Sequence, residues 1–405
     1  IVCTYTNTRK TTTFRLAKAW GVNSTAGNVA SIGATTGLTN NTALFTSTAS
    51  TPTNGATVTV FAGETATLPI ETMSPGTLAN YTTTVSCNAG TLTGSNGQSA
   101  GNTLAVTAAA TATNPITCTY TNTPKTATLQ LVKAWGANSS ASDSANIGAT
   151  TGGTNNTSSF STAGGTSANS GAAVAITVGN TITFPAETGT NIGNYDTVLS
   201  CLAGGGATAN TLSGTNGQVS NTLVIGAGDS GKAIVCTYTN TRKSAQLTLV
   251  KTWVNARNGE TATVTSASFT NNASTGLSTS TGNNTTTGTA VTVYAGEVGT
   301  ISEVLSNSAN YTATLACTGN GTALAGNSLT INPADTAITC TQTNTRKSAQ
   351  LTLVKTWVNA RNGETATVSS SGFENNGSTG LSTSTGNNTT TGTAVTVYAG
   401  EVGTI

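Results

Sequence analysis

Short runs in which apolar and polar positions alternate fill this chain, and clusters of Gly, Asn, Ser and Thr break them up. The clearest are TFRLAKAW (13–20), TLQLVKAW (128–135) and LTLVKTW (247–253 and 351–357). A period of two is that of a strand with one buried face, and no stretch carries the 3.6-residue spacing of a helix. Clusters such as STGNNTTTG (280–288) supply the turns. The pattern predicts an all-β chain.

The strand-like runs recur. Trp20, Trp135, Trp253 and Trp357 each close a Lys-x-Trp phrase, and each phrase follows a version of CTYTNTRK. Residues 348–405 copy 244–301 with about five substitutions, the mark of a duplicated array. The expected divisions are the last strand of a preceding repeat at 1–10, repeats at 11–125, 126–243 and 244–347, and the N-terminal part of a further repeat at 348–405. A unit of roughly one hundred residues built of short strands fits a two-sheet, immunoglobulin-like sandwich better than a solenoid. Between Asn344 and Lys355 almost everything is already strand, so short linkers and a stiff, elongated rod of tandem sandwiches are expected.

Strand parity places a cation inside each repeat. Phe14, Leu16, Lys18 and Trp20 share a face, as do Leu129, Leu131, Lys133 and Trp135, and Leu247, Leu249, Lys251 and Trp253. In the last strand the same parity turns Asn122, Asn240 and Asn344 inward. An unpaired ammonium in such a core costs several kcal/mol, about enough to force either a carboxylate partner or loss of the charge. Glu71, Glu187 and Glu303, each ahead of a Tyr, are the available carboxylates. Burial raises a Glu pKa and lowers a Lys pKa, leaving a neutral acid beside a neutral, nucleophilic amine. With an Asn carboxamide alongside, attack on the amide carbon releases ammonia and leaves a Lys–Asn isopeptide bond. The alternative is a buried Lys–Glu pair with Asn hydrogen-bonded to both and no covalent bond.

The inward Lys of LTLVKTW, the Glu of the P-x-ET…Y segment and the Asn of CTYTNT resemble three positions of the Cna protein B-type domains of bacterial pilins and adhesins. These domains are also called SpaA-like or prealbumin-like. The likeness runs through essentially the whole chain. It implies a prealbumin-like sandwich and a spontaneous Lys–Asn bond with Glu as intramolecular catalyst. Carried over, the sets are Lys18, Glu71, Asn122; Lys133, Glu187, Asn240; and Lys251, Glu303, Asn344. The stretch around Glu303 departs from the pattern because it lacks the Pro that precedes Glu71 and Glu187.

The seven cysteines add a second staple. Cys87 with Cys118, Cys201 with Cys236, and Cys317 with Cys340 recur as one pair per complete repeat, and Cys3 stands over. Their spacing fits no CxxC metal or redox motif, and disulfides require an oxidising compartment, hence secretion.

Composition then removes the other function classes. There is no histidine, which excludes Ser-His-Asp and Cys-His nucleophiles and His-containing metal sites. Charged residues are 7% of the chain and the net charge of +2 is unclustered, so neither nucleic acid nor an anionic membrane finds a footing. No apolar run is long enough to span a bilayer. No cofactor and no external catalysis are expected. The expected role is structural, in an extracellular fibre or adhesin stalk on a bacterial surface, with neighbouring repeats as partners and lateral or end-to-end self-assembly possible. The competing expectation is an adhesive module that binds glycans, matrix proteins or a solid surface through Thr-rich faces such as Thr119, Thr121 and Thr123.

Overall fold

A computed structural model describes residues 1–405 apart from 166, 167, 277, 281, 381, 384 and 385. Strands dominate, and the described helical residues fall in five single 3-10 turns. The chain divides into two compact units, Ile1–Ile192 with Thr197–Thr241, and Gly193–Asp196 with Arg242–Ile405.

In the first unit, strand Thr11–Trp20 lies at the centre of a five-stranded sheet. Ile116–Pro124 pairs with it in parallel, and Tyr81–Cys87 flanks Ile116–Pro124 on the far side. Thr53–Asn54 and Val58–Phe61 cover the other edge. Phe45–Thr48, Val29–Ile32 and Glu71–Met73 form a second sheet, and Thr65–Thr67, Thr103–Ala105 and Thr91–Thr93 a third. Phe14, Leu16, Ile32, Val60, Leu104, Ile116 and Tyr120 from these layers form one buried cluster, the core of a sandwich. The plan recurs around Thr126–Trp135, paired in parallel with Ala233–Arg242, with its own core of Leu129, Leu131, Ile147, Phe184 and Tyr238.

In the second unit, Ser244–Val254 pairs in parallel with Ala337–Arg346, which pairs in turn with Tyr311–Thr318. The opposing sheet orders Ser278–Thr279, Thr261–Ala267, Val298–Leu305 and Ser328–Thr330. Here the missing proline has a visible effect. Pro69 lacks the N–H a ladder needs, and strand falls into Thr65–Thr67 and Glu71–Met73 on either side of it; without a proline, Val298–Leu305 runs unbroken through Glu303. Residues 348–405 repeat the hairpins of 244–301, with Ser348–Leu351 against Val395–Tyr398 and Val354–Ala360 against Gly386–Thr391.

Residues 1–10 are exposed and lie outside the assigned strands, and the Lys10 carbonyl accepts from Ala62 N at 2.9 Å. The threonine face is less open than an isolated strand would make it. Thr119 and Thr121 lie half-buried between two neighbouring strands, and Thr123 alone of the three is exposed.

Candidate functional site

The parallel pairing of first and last strands builds the site. Its register sets Lys18 beside Tyr120 and Trp20 beside Asn122, so Lys and Asn sit two residues apart on adjacent strands and face the same core. Two residues span about 6.6 Å of strand, a gap a carboxylate can bridge. Lys133 with Tyr238 and Trp135 with Asn240 repeat the register, as do Lys251 with Gln342 and Trp253 with Asn344.

Glu71 occupies the gap. Its Oε1 lies 3.2 Å from Lys18 Nζ and accepts a 2.7 Å hydrogen bond from Asn122 Nδ2. In the second repeat Glu187 Oε1 is 3.0 Å from Lys133 Nζ and 3.2 Å from Asn240 Nδ2, and in the third Glu303 Oε1 is 3.1 Å from Lys251 Nζ and 2.9 Å from Asn344 Nδ2. All nine predicted residues are thus brought together in threes, and the side chains of Lys18, Glu71, Lys133 and Glu187 have no exposure. One carboxylate oxygen serves both amine and carboxamide. The other, Oε2 of Glu71 and of Glu187, is buried without a hydrogen-bond partner, and so is Oδ1 of Asn240 and Asn344.

Burial dominates the electrostatics. It pushes Lys18 and Lys133 down to about 8 even though Glu71 and Glu187 pull the other way. Lys251 is lowered for the same reason. Burial also raises Glu71 above the usual carboxylate range, against the pull of Lys18 and Asn122.

Other side chains complete the site, and of these the tryptophans alone were placed on the inward face from sequence. Each Lys Nζ lies over the ring of the Trp two residues on, at 4.7, 4.5 and 4.5 Å, so the amine is roofed by an indole rather than by water. Tyr120 and Tyr238 donate to the carbonyls of Pro69 and Pro185 at 2.6 and 2.7 Å, anchoring the segments that carry Glu71 and Glu187. Thr83 donates to Asn122 Oδ1 at 2.7 Å and itself accepts from Gln98 Nε2 at 2.9 Å, a relay that polarises the carboxamide. For Tyr120 and Tyr238 the signal in the sequence was parity: each stands two residues before its Asn and shares its inward face.

The third site is built differently. Ala313 stands opposite Asn344 where Thr83 stands opposite Asn122, and Gln342 replaces the tyrosine. Gln342 Nε2 reaches Glu303 Oε2 at 3.4 Å.

The predicted cysteine pairs are joined: Cys87–Cys118, Cys201–Cys236 and Cys317–Cys340 are disulfides, and Cys3 is free and exposed. Cys87 and Cys118 face each other directly across the pair formed by Tyr81–Cys87 and Ile116–Pro124, as Cys317 and Cys340 do in the third repeat. No group of His, Cys, Asp or Glu among the described residues could hold a metal ion.

Two family models of the prealbumin-like fold domain match four stretches, one at 13–124 and 128–242, the other at 242–342 and 346–403. The chain belongs to the prealbumin-like fold domain family. Solved structures similar to this prealbumin-like chain share little sequence with it. The Bacillus anthracis TIE protein is 11% identical with a TM-score of 0.38, covering 83% of this chain and 51% of its own, so the chain spans about half its length. The major pilin T-13 of Streptococcus pyogenes is 11% identical with a TM-score of 0.27, over 55% of this chain and 98% of the pilin. Two B repeat units of the collagen binding protein of Staphylococcus aureus are 12% identical with a TM-score of 0.19, over 84% and 76%. No curated protein matches the chain. No helix of this prealbumin-like chain is long and apolar enough to cross a membrane.

Proposed function

We propose that this chain is a non-enzymatic, tension-resisting stretch of an extracellular bacterial fibre or adhesin stalk, each complete repeat sealed by a Lys–Asn isopeptide bond and a disulfide. The observation that carries the reading is the buried Lys–Glu–Asn cluster, built three times between the first and last strands of a repeat. Tension enters a repeat near its first strand and leaves near its last. A covalent bond between those two strands carries the pull past everything between them.

The groups are suited to forming that bond. Burial depresses the lysine and raises Glu71, which favours a neutral amine and a protonated acid over the ion pair. The amine attacks Cγ of the Asn carboxamide; a C–N bond to Lys forms, the C–Nδ2 bond breaks, and the nitrogen leaves as ammonia. The amine's proton passes through the carboxyl to the leaving nitrogen, so the Glu ends as it began. A proton on the carboxyl also gives the buried, partnerless acceptors of the site a donor. Preorganisation is supplied by the fold, with Glu already in hydrogen-bond contact with both reactants. The disulfides fit an oxidising compartment, which supports secretion.

Pulling a single chain in reducing buffer tests the role. With the bonds in place, the roughly 100 residues between Lys18 and Asn122 never extend. Steps of about 35 nm per repeat, the contour length of that many residues, would contradict the reading.

A further inference from the structure

The strand that ends one copy of the repeat carries, just past its Asn, the phrase Thr-Arg-Lys, and the arginine contacts the copy that follows. Arg9 Nε donates to the Ala62 carbonyl at 2.9 Å, and its guanidinium lies 5.1 Å from the Phe61 ring centre. Arg346 Nε donates to the Ala399 carbonyl at 2.9 Å and lies 5.3 Å from the Tyr398 ring. Arg242, within the second unit, repeats both contacts with Ala295 at 2.9 Å and Tyr294 at 5.8 Å. The receiving loop reads Phe-Ala-Gly-Glu at 61–64 and Tyr-Ala-Gly-Glu at 294–297 and 398–401. Glu64 lies 3.9 Å from Arg9, and Glu401 lies 4.0 Å from the buried guanidinium of Arg346.

One copy lacks every element of this contact together. Pro124 stands where the others have Arg, and the loop at 177–180 reads Thr-Val-Gly-Asn, without the aromatic ring and without the carboxylate. The rest of the connection is unchanged there. Lys125 donates from its backbone to the Asn80 carbonyl and from Nζ to the Ala79 carbonyl, both at 2.9 Å, as Lys347 does to Asn310 and Ala309 at 2.9 and 2.8 Å. Val178 N–H still reaches the Lys125 carbonyl at 2.9 Å, matching Ala399 to Lys347 at 2.8 Å. The backbone joint is therefore common to the copies, and the arginine contact is a separable addition to it.

The carboxylate is not there for the loop itself. Glu64 accepts from Phe61 N, Thr39 N and Thr39 Oγ1, a local turn cap. Asn180 accepts from the equivalent Thr177 N, Thr154 N and Thr154 Oγ1 with a neutral carboxamide. A neutral acceptor suffices to cap the turn, so the negative charge in the other copies answers the guanidinium. A second sign comes from the near-identical copies 244–301 and 348–405. One of their few differences is Thr270 against Glu374, and Glu374 Oε1 lies 2.5 Å from Arg346 Nη1.

We propose that the aromatic-Ala-Gly-Glu loop is a receptor for the arginine of a preceding Thr-Arg-Lys strand end, and that the 124/125 connection is a natural clamp-free variant. The planar guanidinium fits this receptor because it stacks on the ring, donates to the carbonyl and pairs with the carboxylate at once. Clamped loops then open more rarely than the loop at 177–180.

Hydrogen exchange on the full chain tests this. Arg346→Ala is expected to speed exchange of the peptide spanning 395–402 by about tenfold while leaving 338–344 unchanged. Transplanting the receptor, with Pro124→Arg, Thr177→Tyr and Asn180→Glu together, is expected to slow exchange across 174–181 by a similar factor, whereas Pro124→Arg alone leaves it as it was. Should Arg346→Ala loosen both peptides, the transplant decides alone. An unaltered 395–402 peptide in Arg346→Ala, or a triple transplant no slower than Pro124→Arg, overturns the proposal.

Discussion

Lys133 Nζ and Glu187 Oε1 meet 3.0 Å apart with neither side chain reaching solvent. A pair so placed stabilises little against an apolar replacement, but halving it is costly, because the survivor is left as an unpaired polar group in the core. Glu187→Gln is expected to cost about 3–5 kcal/mol and to leave that repeat without its cross-link. Lys133→Met with Glu187→Gln also forfeits the cross-link, yet recovers part of the stability because no charge remains buried. Denaturant unfolding of both variants, with peptide mass mapping, reads the difference.

The lysines make a prediction about pH. Lys18 and Lys133 titrate near 8 in the fold against an ordinary value of 10.5. Where the amines are free, the unfolded chain holds more protons than the folded one between those values. Stability then rises with pH across that window and is lowest below about 8. An amide nitrogen does not titrate. A chain carrying Asn122→Ala, Asn240→Ala and Asn344→Ala is therefore expected to gain stability from pH 8 to 10.5, and the unaltered chain is expected to lack that gain.

The disulfides contribute separately. They close 31, 35 and 23 residues, and the chain-entropy treatment gives roughly 3 to 4 kcal/mol for such loops. Replacing both cysteines of one pair by Ser is expected to lower the stability of that repeat by an amount in this range, seen as a shifted urea midpoint with little change in slope.

The three sites are expected to mature at different rates. In the first, Thr83 and Gln98 polarise the Asn122 carbonyl and nothing donates to Glu71 Oε2. In the third, Ala313 cannot donate to the Asn344 carboxamide, and Gln342 occupies Glu303 Oε2 with a hydrogen bond that the first site lacks. Peptide mapping of the full chain at intervals after refolding is expected to show the Lys251–Asn344 product last. Equal rates would remove this role from Thr83 and Gln342.

Much of this was legible in the sequence because a strand's period is two. That period turned Lys18 and Asn122 inward without reference to any partner, and the recurrence of Glu71, Glu187 and Glu303 named the third group. What parity cannot give is which strand lies beside which. The parallel pairing and its two-residue offset come from tertiary packing, and so does the bridging role of a single carboxylate oxygen. Thr83 reaches Asn122, and Gln98 reaches Thr83, from another strand and a loop, with no periodic signal to mark them. Arg346 looked like part of a repeat-ending phrase; its role shows only beside Tyr398 and Glu401, and the matching loss at Pro124, Thr177 and Asn180 is visible once those positions are known to meet.

The central claim is that amine and carboxamide condense in every complete repeat. The intact mass of the reduced full chain tests it most directly. The account predicts a deficit of three ammonias, about 51 Da, against the mass of the sequence, abolished in steps of about 17 Da by Glu71→Ala, Glu187→Ala and Glu303→Ala. A reduced chain with the unmodified sequence mass would contradict it.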